Sequence, residues 1–489
     1  MNVLVSEDER QDAGGGHERA WRPRLRLPSA RTRSAVLWMA LAFMSGLDPL
    51  DDNSFLTHLR TGHWILDHGI PREDVYSYTA SGTSWIAQSW LVEVLYAVLD
   101  NVTGPAGILV LDGLVNAALA YLAFALADRL RGGGRTAHIV LPALTVSLHF
   151  WVERPLLFGV LAMLVLLWIV EVPDSWAGRR PLVAVPVLMC LWVNVHGSFA
   201  LGFTYIALHL IGRRLDGAAP WKGRERHLTL AAVLGVAACL INPYGYRLLL
   251  FPVELLSRGE VLRNVQEWQS PDFRSTLGVT FAVWIAVFVA VLARAPGRAS
   301  RRDLVVAVPF LLLGFWALRN IALAPLVGLP IAARLLAVPD EREARRGRTD
   351  LTIIAAVLTV VALFSSTTLS KPAFAFDEYP VRAMQAIERH GLLGQRLFTT
   401  HTWNAYVIHA YWPRQKVFMD DRYDMYPVAF TKEYMKVRDG GPEWRGMFDR
   451  YRVTVVMWET GTPLTELVSQ DPGWRRIYRD RQATVFVKR

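Results

Sequence analysis

Asp48, Asp51 and Asp52 crowd a five-residue stretch where the first apolar run of the chain ends. Carboxylates in that position can act as a general base or hold a divalent cation such as Mg2+ or Mn2+, for which Asp51 and Asp52 are the natural pair. The same residues have a structural alternative. Asp52 or Asn53 can cap a helix beginning near Phe55, and the cluster can also be a plain wet loop. Only one carboxylate is needed as a cap, so Asp52, Asp51 and Asp48 together are the catalytic candidates.

Basic and polar residues stand at other breaks between apolar runs. HFWVERPLLF holds Glu153 and Arg154, where each charge costs about 2.5–3.5 kcal/mol on insertion scales. They form either an internal ion pair or a site where the forked Arg154 donors take a phosphate. LWVNVHGSF supplies Asn194 and His196, either structural or substrate contacts, and Arg319–Asn320 offers a second clamp. Asn242, Tyr244 and Arg247 in INPYGYR read as a Pro/Gly turn. His58, Arg60 and His63 follow the aspartates, with Arg60 the better phosphate contact. In VFMDDRYDMY, Asp420, Asp421, Arg422 and Asp424 can bind metal or sugar hydroxyls, or form a salt-bridged turn. No P-loop, HExxH, GxSxG or dinucleotide glycine pattern stands in a convincing context, so nucleotide chemistry has no support.

The elements that must position these residues are set by hydropathy. The chain has 489 residues, 52% of them hydrophobic, with mean hydropathy +0.23. That composition predicts a polytopic α-helical membrane protein. Apolar runs at 34–50, 106–128, 137–151, 155–171, 181–195, 198–212, 228–242, 275–294, 303–318, 320–337 and 350–369 are the predicted spans. The run 88–100 is short and carries Glu93. If it does not cross, the five basic loops near Arg129–Arg135, Arg179–Arg180, Arg213–Arg226, Arg294–Arg302 and Arg334–Arg348 share a side with the basic tail. The charge rule therefore favours eleven crossings, a cytoplasmic N-terminus and a polar-equipped outer face. The net charge of +10 is then a topology signal, and no nucleic-acid partner is expected. Cys190 and Cys239 lie in apolar runs and read as packing residues.

The predicted domains are a disordered cytoplasmic tail (1–33), a transmembrane domain (34–370) with a first outer loop at 47–105, and an extracytoplasmic α/β domain (371–489). Within 47–105 an amphipathic helix is expected in the membrane interface, with Phe55, Leu59, His63 and Leu66 on one side. In the last domain the pattern predicts strands near Gln395–Thr399, Lys416–Met419, Val453–Trp458 and Ala483–Val487. Helices are predicted near Val381–His390, Trp403–Tyr411, Phe430–Arg438, Trp444–Tyr451 and Pro463–Ser469.

An acidic cluster after the first span, an interfacial helix, an outer loop, a multi-span bundle and a C-terminal outer domain occur here in the order found in GT-C integral-membrane glycosyltransferases. The chain resembles that class, which includes protein O-mannosyltransferases and lipid A aminoarabinose transferases. DDNSFLTHLRTGHW, NVHGSF and KVFMDDRYDMY are similar, more narrowly, to a group of bacterial membrane proteins. The resemblance implies inverting transfer of a hexosyl or pentosyl group from a polyprenyl-phosphate sugar to a glycan, lipid or protein hydroxyl, at the outer face of the plasma membrane. It implies Asp52 as base, and a phosphate site among Arg154, Arg60 and Arg319. Trp403 to Tyr406 with the downstream DDR resemble the acceptor region of oligosaccharyltransferases, so Trp403, Asp421 and Arg422 join His58, Glu153, Asn194 and His196 as expected substrate contacts. The pattern departs in having Asp51–Asp52 for Asp-Glu, and Ser89 before Trp90 where a carboxylate is expected. The competing classes are a flippase for a lipid-linked intermediate, marked by charges through the bundle and repeat symmetry, and a non-catalytic envelope-assembly protein.

Overall fold

A computed structural model describes residues 27–131, 137–172, 178–263, 265–294, 299–336 and 347–489. The tail over 1–26 and parts of the basic loops, including Arg135, Arg298 and 342–346, lie outside the described residues. The first helix, α1 (Ala30–Ser45), starts earlier than the apolar run does, because the Ser29 side chain accepts from the Thr32 N–H and caps it. Next come α2 (Asn53–His68), α3 (Trp90–Thr103), α4 (Pro105–Arg131), α5 (Ala137–Ser147), α6 (Pro155–Glu171), α7 (Arg180–Val195), α8 (Phe199–Leu215) and α9 (Gly223–Ala238). The bundle is completed by α10 (Tyr246–Ser257), the single turn α11 (Gly259–Leu262), α12 (Thr276–Arg294), α13 (Arg301–Trp316), α14 (Ala324–Leu335) and α15 (Arg348–Leu369). Among the described residues, four segments are long and apolar enough to cross a membrane: Pro105–Leu130, Thr276–Arg294, Leu318–Leu335 and Arg348–Leu369.

Local chemistry starts and stops these helices. Pro155 opens α6, where a missing N–H costs nothing. Ser300 and Asp303 form a reciprocal capping box on α13. At one end of the bundle the arginines do more than mark loops. Arg302 and Arg334 each bridge Glu171 and Asp303, at 2.6–3.3 Å, and Tyr205 donates to Glu171. This closed ring ties α6, α8, α13 and α14 together. It lies about 25 Å along α6 from Arg154, given 1.5 Å per residue.

The amphipathic stretch forms α2, but not as a free interfacial helix. Phe55, Leu59 and Ile65 are buried, while Leu66 is exposed. The helix is sandwiched between α3 and a helix of the C-terminal domain, α17 (Trp403–Tyr411).

The C-terminal domain adds α16 (Val381–Arg389), α17, α18 (Val428–Arg438), α19 (Trp444–Arg450) and α20 (Pro463–Gln470) around a four-stranded sheet. Its order is β1 (Leu397–Phe398), β2 (Val455–Glu459), β4 (Ala483–Lys488), β3 (Trp474–Arg479). β1 runs parallel to β2, and the other pairings are antiparallel. One strand stands where none was predicted, and one predicted strand is absent from the sheet. Trp474–Arg479 is a strand despite its arginines, since as an edge strand with exposed positions it keeps those charges in water. Lys416–Met419 is not a sheet strand. Val417 pairs instead with Ser77 of the first loop, through Tyr78 N–H to Val417 C=O (3.0 Å) and Val417 N–H to Tyr76 C=O (3.1 Å). A second bridge joins Leu50 to Phe374. The stretch 47–105 and the C-terminal domain are thereby one packed body.

Candidate active site

Asp52 is the N-cap of α2. One carboxylate oxygen accepts the Phe55 N–H at 3.0 Å, and the other is ion-paired with Arg154. Glu153, buried beside it, accepts the backbone N–H groups of Asp51 (3.1 Å) and Asp52 (3.2 Å). Burial raises the Glu153 pKa, partly offset by the backbone N–H groups it accepts, its own and those of Asp52 and Asp51. The acidic cluster and the VERP turn are therefore one unit, with Glu153 fixing the backbone and Arg154 fixing the carboxylate. Asp51 and Asp48 keep exposed side chains. The Asp51 pKa is raised by desolvation and then by Asp52, Glu378 and Asp48.

Above this unit lies a cavity of about 480 Å³ between the bundle and the C-terminal domain. Its bundle wall holds Arg154, His196, Glu267, Trp268 and Arg319, with apolar side chains such as Phe251, Leu255 and Leu262. Another wall is built by α2 and α3 from Thr57, His58, Thr61, Ser89 and Glu93. The C-terminal domain contributes His401, Thr402, Asp421, Tyr423 and Arg438. Asp52 borders the cavity through its partner Arg154.

The two arginines on the bundle wall differ. Arg154 is clamped between Asp52 and Glu267, so its charge is already matched. Arg319 lies over the Trp268 ring, 4.8 Å from its centroid, and has no ion pair or hydrogen bond among the described residues. Of the two, Arg319 is the cation open to an anion, while Arg154 takes the ion-pair alternative, with Asp52 and Glu267 as partners.

His196 also faces the cavity. Its Nδ1 accepts the Ser198 N–H at 3.1 Å and lies 2.9 Å from Ser198 Oγ, which accepts from Trp192. Burial, followed by Arg319 and His58, holds its pKa well below the usual value. The ring is neutral and carries its proton on Nε2, a hydrogen-bond donor. Asp421 accepts from Asn53 Nδ2 at 3.3 Å, and its pKa is pushed up to about 7 by burial and then by Asp420. A carboxyl that titrates near neutrality and faces a cavity can exchange a proton there.

Other expected contacts are spent on structure. Arg60 stacks 4.7 Å from the Trp412 ring centroid and donates to the Trp412 carbonyl, away from the cavity. Asn194 accepts from Trp90 Nε1 and donates to the Cys190 and Ile241 carbonyls, which uses both of its amide hydrogens. Trp403 is buried in α17, although its neighbours His401 and Thr402 reach the cavity. Arg422 lines the cavity, yet it bridges Asp420 and Asp74 at 2.6 Å each and lies 4.3 Å from the Trp85 ring centroid. It is chiefly the rivet between the first loop and the C-terminal domain. Asp51 and Asp52 do not make a metal-ligand set in this arrangement. Both Asp52 oxygens are engaged, and no group of three or more His, Cys, Asp or Glu side chains is placed to hold an ion among the described residues.

Glu93 and Glu267 carried no role in the sequence reading. Glu93 was legible only as a charge in an apolar run, and Glu267 had no local signal.

No family model matches the chain, and no curated protein does. Solved structures do. ArnT from Cupriavidus metallidurans in the apo state covers 94% of this chain and 98% of its own, at 13% identity and TM-score 0.57. The same protein bound to undecaprenyl phosphate covers 93% and 97%, at 13% identity and TM-score 0.53. The Archaeoglobus fulgidus oligosaccharyltransferase, in complex with Zn and sulfate, covers 93% and 73%, at 11% identity and TM-score 0.53. The chain has the GT-C glycosyltransferase fold. That GT-C fold extends through both the bundle and the C-terminal domain, since the match covers nearly all of the chain.

Proposed function

We propose that the chain is an inverting glycosyltransferase of the plasma membrane, moving a hexosyl or pentosyl group from a polyprenyl-phosphate donor to an acceptor hydroxyl at the outer face. The carrying observation is Arg319, an unpaired guanidinium on the wall of a cavity that the Asp52–Arg154 pair borders. Support comes from the shared fold with ArnT, solved bound to undecaprenyl phosphate. The orientation rests on the distribution of basic loops.

Asp52 accepts the proton of the acceptor hydroxyl. The oxygen attacks the anomeric carbon from the face opposite the phosphate, and the bond to phosphate breaks with its electron pair on the leaving group. The departing polyprenyl phosphate is an anion, so Arg319 stabilises it as charge builds, and no acid is required. Arg154 holds the Asp52 carboxylate in place and aims it. Asp421 and the polar C-terminal wall receive the acceptor, while the apolar bundle wall takes the first isoprene units.

The test is mass spectrometry of lipid extracts from a strain lacking this protein. A polyprenyl-phosphate sugar should accumulate, and complementation with wild type but not Asp52→Asn should clear it. An unchanged lipid profile would remove the donor class from consideration.

A further inference from the structure

We propose that Glu93, His58, Ser89 and Thr57 form the pocket that reads the hydroxyl groups of the donor's sugar. The inference deepens the donor reading above and rests on it.

His58 of α2 and Glu93 of α3 meet across the cavity wall, His58 Nδ1 lying 2.7 Å from Glu93 Oε1. A carboxylate only accepts, so Nδ1 carries a proton, and in the neutral ring Nε2 is left as an acceptor. Glu93 is 2% exposed, and its second oxygen, Oε2, has no hydrogen-bond partner among the described residues. Two more lining residues repeat the pattern. Ser89 is the N-cap of α3, a position where the hydroxyl ordinarily bonds the first helical turn, yet it makes no such bond and is unpartnered. Thr57 Oγ1 is buried and unpartnered as well. Buried polar atoms normally find partners, so three orphans on residues lining one wall need an explanation.

A ligand rich in hydroxyls supplies it. Each hydroxyl donates one bond and accepts others, so it matches a carboxylate oxygen, an imidazole nitrogen and two side-chain hydroxyls alike. A phosphate does not, because it brings no donor to Glu93 and repels it. The phosphate therefore belongs at Arg319 and the sugar at α2 and α3. One ammonium would satisfy Glu93 alone, whereas acceptors spread over two helices suit several hydroxyls around a ring. Farther along, His63 and Asp100 make a second pair across the same helices (2.9 Å), but neither lines the cavity. That pair is the internal control.

Binding of four probes to the full-length protein in nanodiscs tests the pocket: decaprenyl phosphate, decaprenyl phosphate linked to a neutral hexose, decaprenyl phosphate linked to a neutral pentose, and a decaprenyl-phosphate-linked amino sugar. Wild type should bind a neutral sugar-linked lipid about 10- to 100-fold more tightly than the bare lipid, the range of hydrogen bonds to a charged group. Glu93→Gln, which still accepts from His58, should erase most of that preference while leaving bare-lipid affinity unchanged. Ser89→Ala breaks no existing hydrogen bond, so it keeps the test valid if Glu93→Gln fails to fold; it should cut the preference several-fold. His63→Asn should change neither affinity. Equal wild-type binding of bare and sugar-linked lipid, preference for the amino sugar alone, or retained preference in both Glu93→Gln and Ser89→Ala overturns the pocket and leaves the donor class standing. If wild type binds no probe, the donor reading falls and the pocket with it.

Discussion

Gly62 of α2 lies so close to Glu93 of α3 that a Cβ in its place would sit 1.9 Å from the Glu93 carbonyl oxygen. This contact sets the spacing of the two helices that wall the cavity, and one turn earlier it brings His58 to the Glu93 carboxylate. An interior helical Gly→Ala change ordinarily gains about 1 kcal/mol. Here backbone must move, and overpacking costs about 1–3 kcal/mol. Gly62→Ala should therefore lower the melting temperature in detergent; a rise would show that α2 and α3 do not touch there.

Asp52→Asn retains an oxygen for the Phe55 N–H, so the cap survives while basicity is lost. Transfer should fall about 10²- to 10⁴-fold, with expression and donor binding near wild type. Asp51→Asn should be milder, because the Asp51 side chain is exposed and holds nothing in place. Full activity in Asp52→Asn, assayed beside an inactive Asp421→Asn, would move the base to the other wall.

Arg319→Lys keeps the charge but loses the planar group over Trp268. Bare decaprenyl phosphate should bind about tenfold more weakly, the scale of a lost charge-assisted bond. Arg154→Lys should reduce turnover more than lipid affinity, since Arg154 serves Asp52. Titration of both variants with the same lipid separates the two roles, and the reverse ranking would return the phosphate to Arg154.

Asp421 also predicts a pH dependence. Its folded pKa is about 7, against 3.8 for the ordinary side chain. Between those values the folded state holds a proton that the unfolded chain has released, so this group's contribution to stability falls as pH rises from about 4 to 7. Asp421→Asn removes that loss. The variant should melt above wild type at pH 8, with the gap closing towards pH 4; a gap that does not change with pH would count against a raised Asp421.

Orientation is open to labelling. Gly217→Cys, in the loop after α8, and Ser469→Cys, in α20, are both at exposed positions. An impermeant thiol reagent should reach Ser469→Cys from outside and Gly217→Cys only after permeabilisation. Labelling from the same side would mean that one of the predicted spans between Gly217 and Ser469 does not cross, and the reverse pattern would mean that the face carrying Asp52 has been misplaced.

What the sequence alone determined was local. The order of helices followed from the apolar runs, and their ends from short-range chemistry: Pro155 opening α6, and Asp52 three residues before the N–H it caps. The outer-domain helices were legible for the same reason, since periodicity and capping act within one or two turns. Pairing was not legible. Arg154 chose Asp52 and Glu267, Arg60 chose Trp412, Arg422 chose Asp74, and Val417 chose Ser77 over the sheet. Each partner is far away in the chain, and nothing in spacing or periodicity ranks one distant carboxylate above another. Only the packing of α2 between α3 and α17 decided which charges were matched, and so left Arg319 and Glu93 with capacity for a ligand.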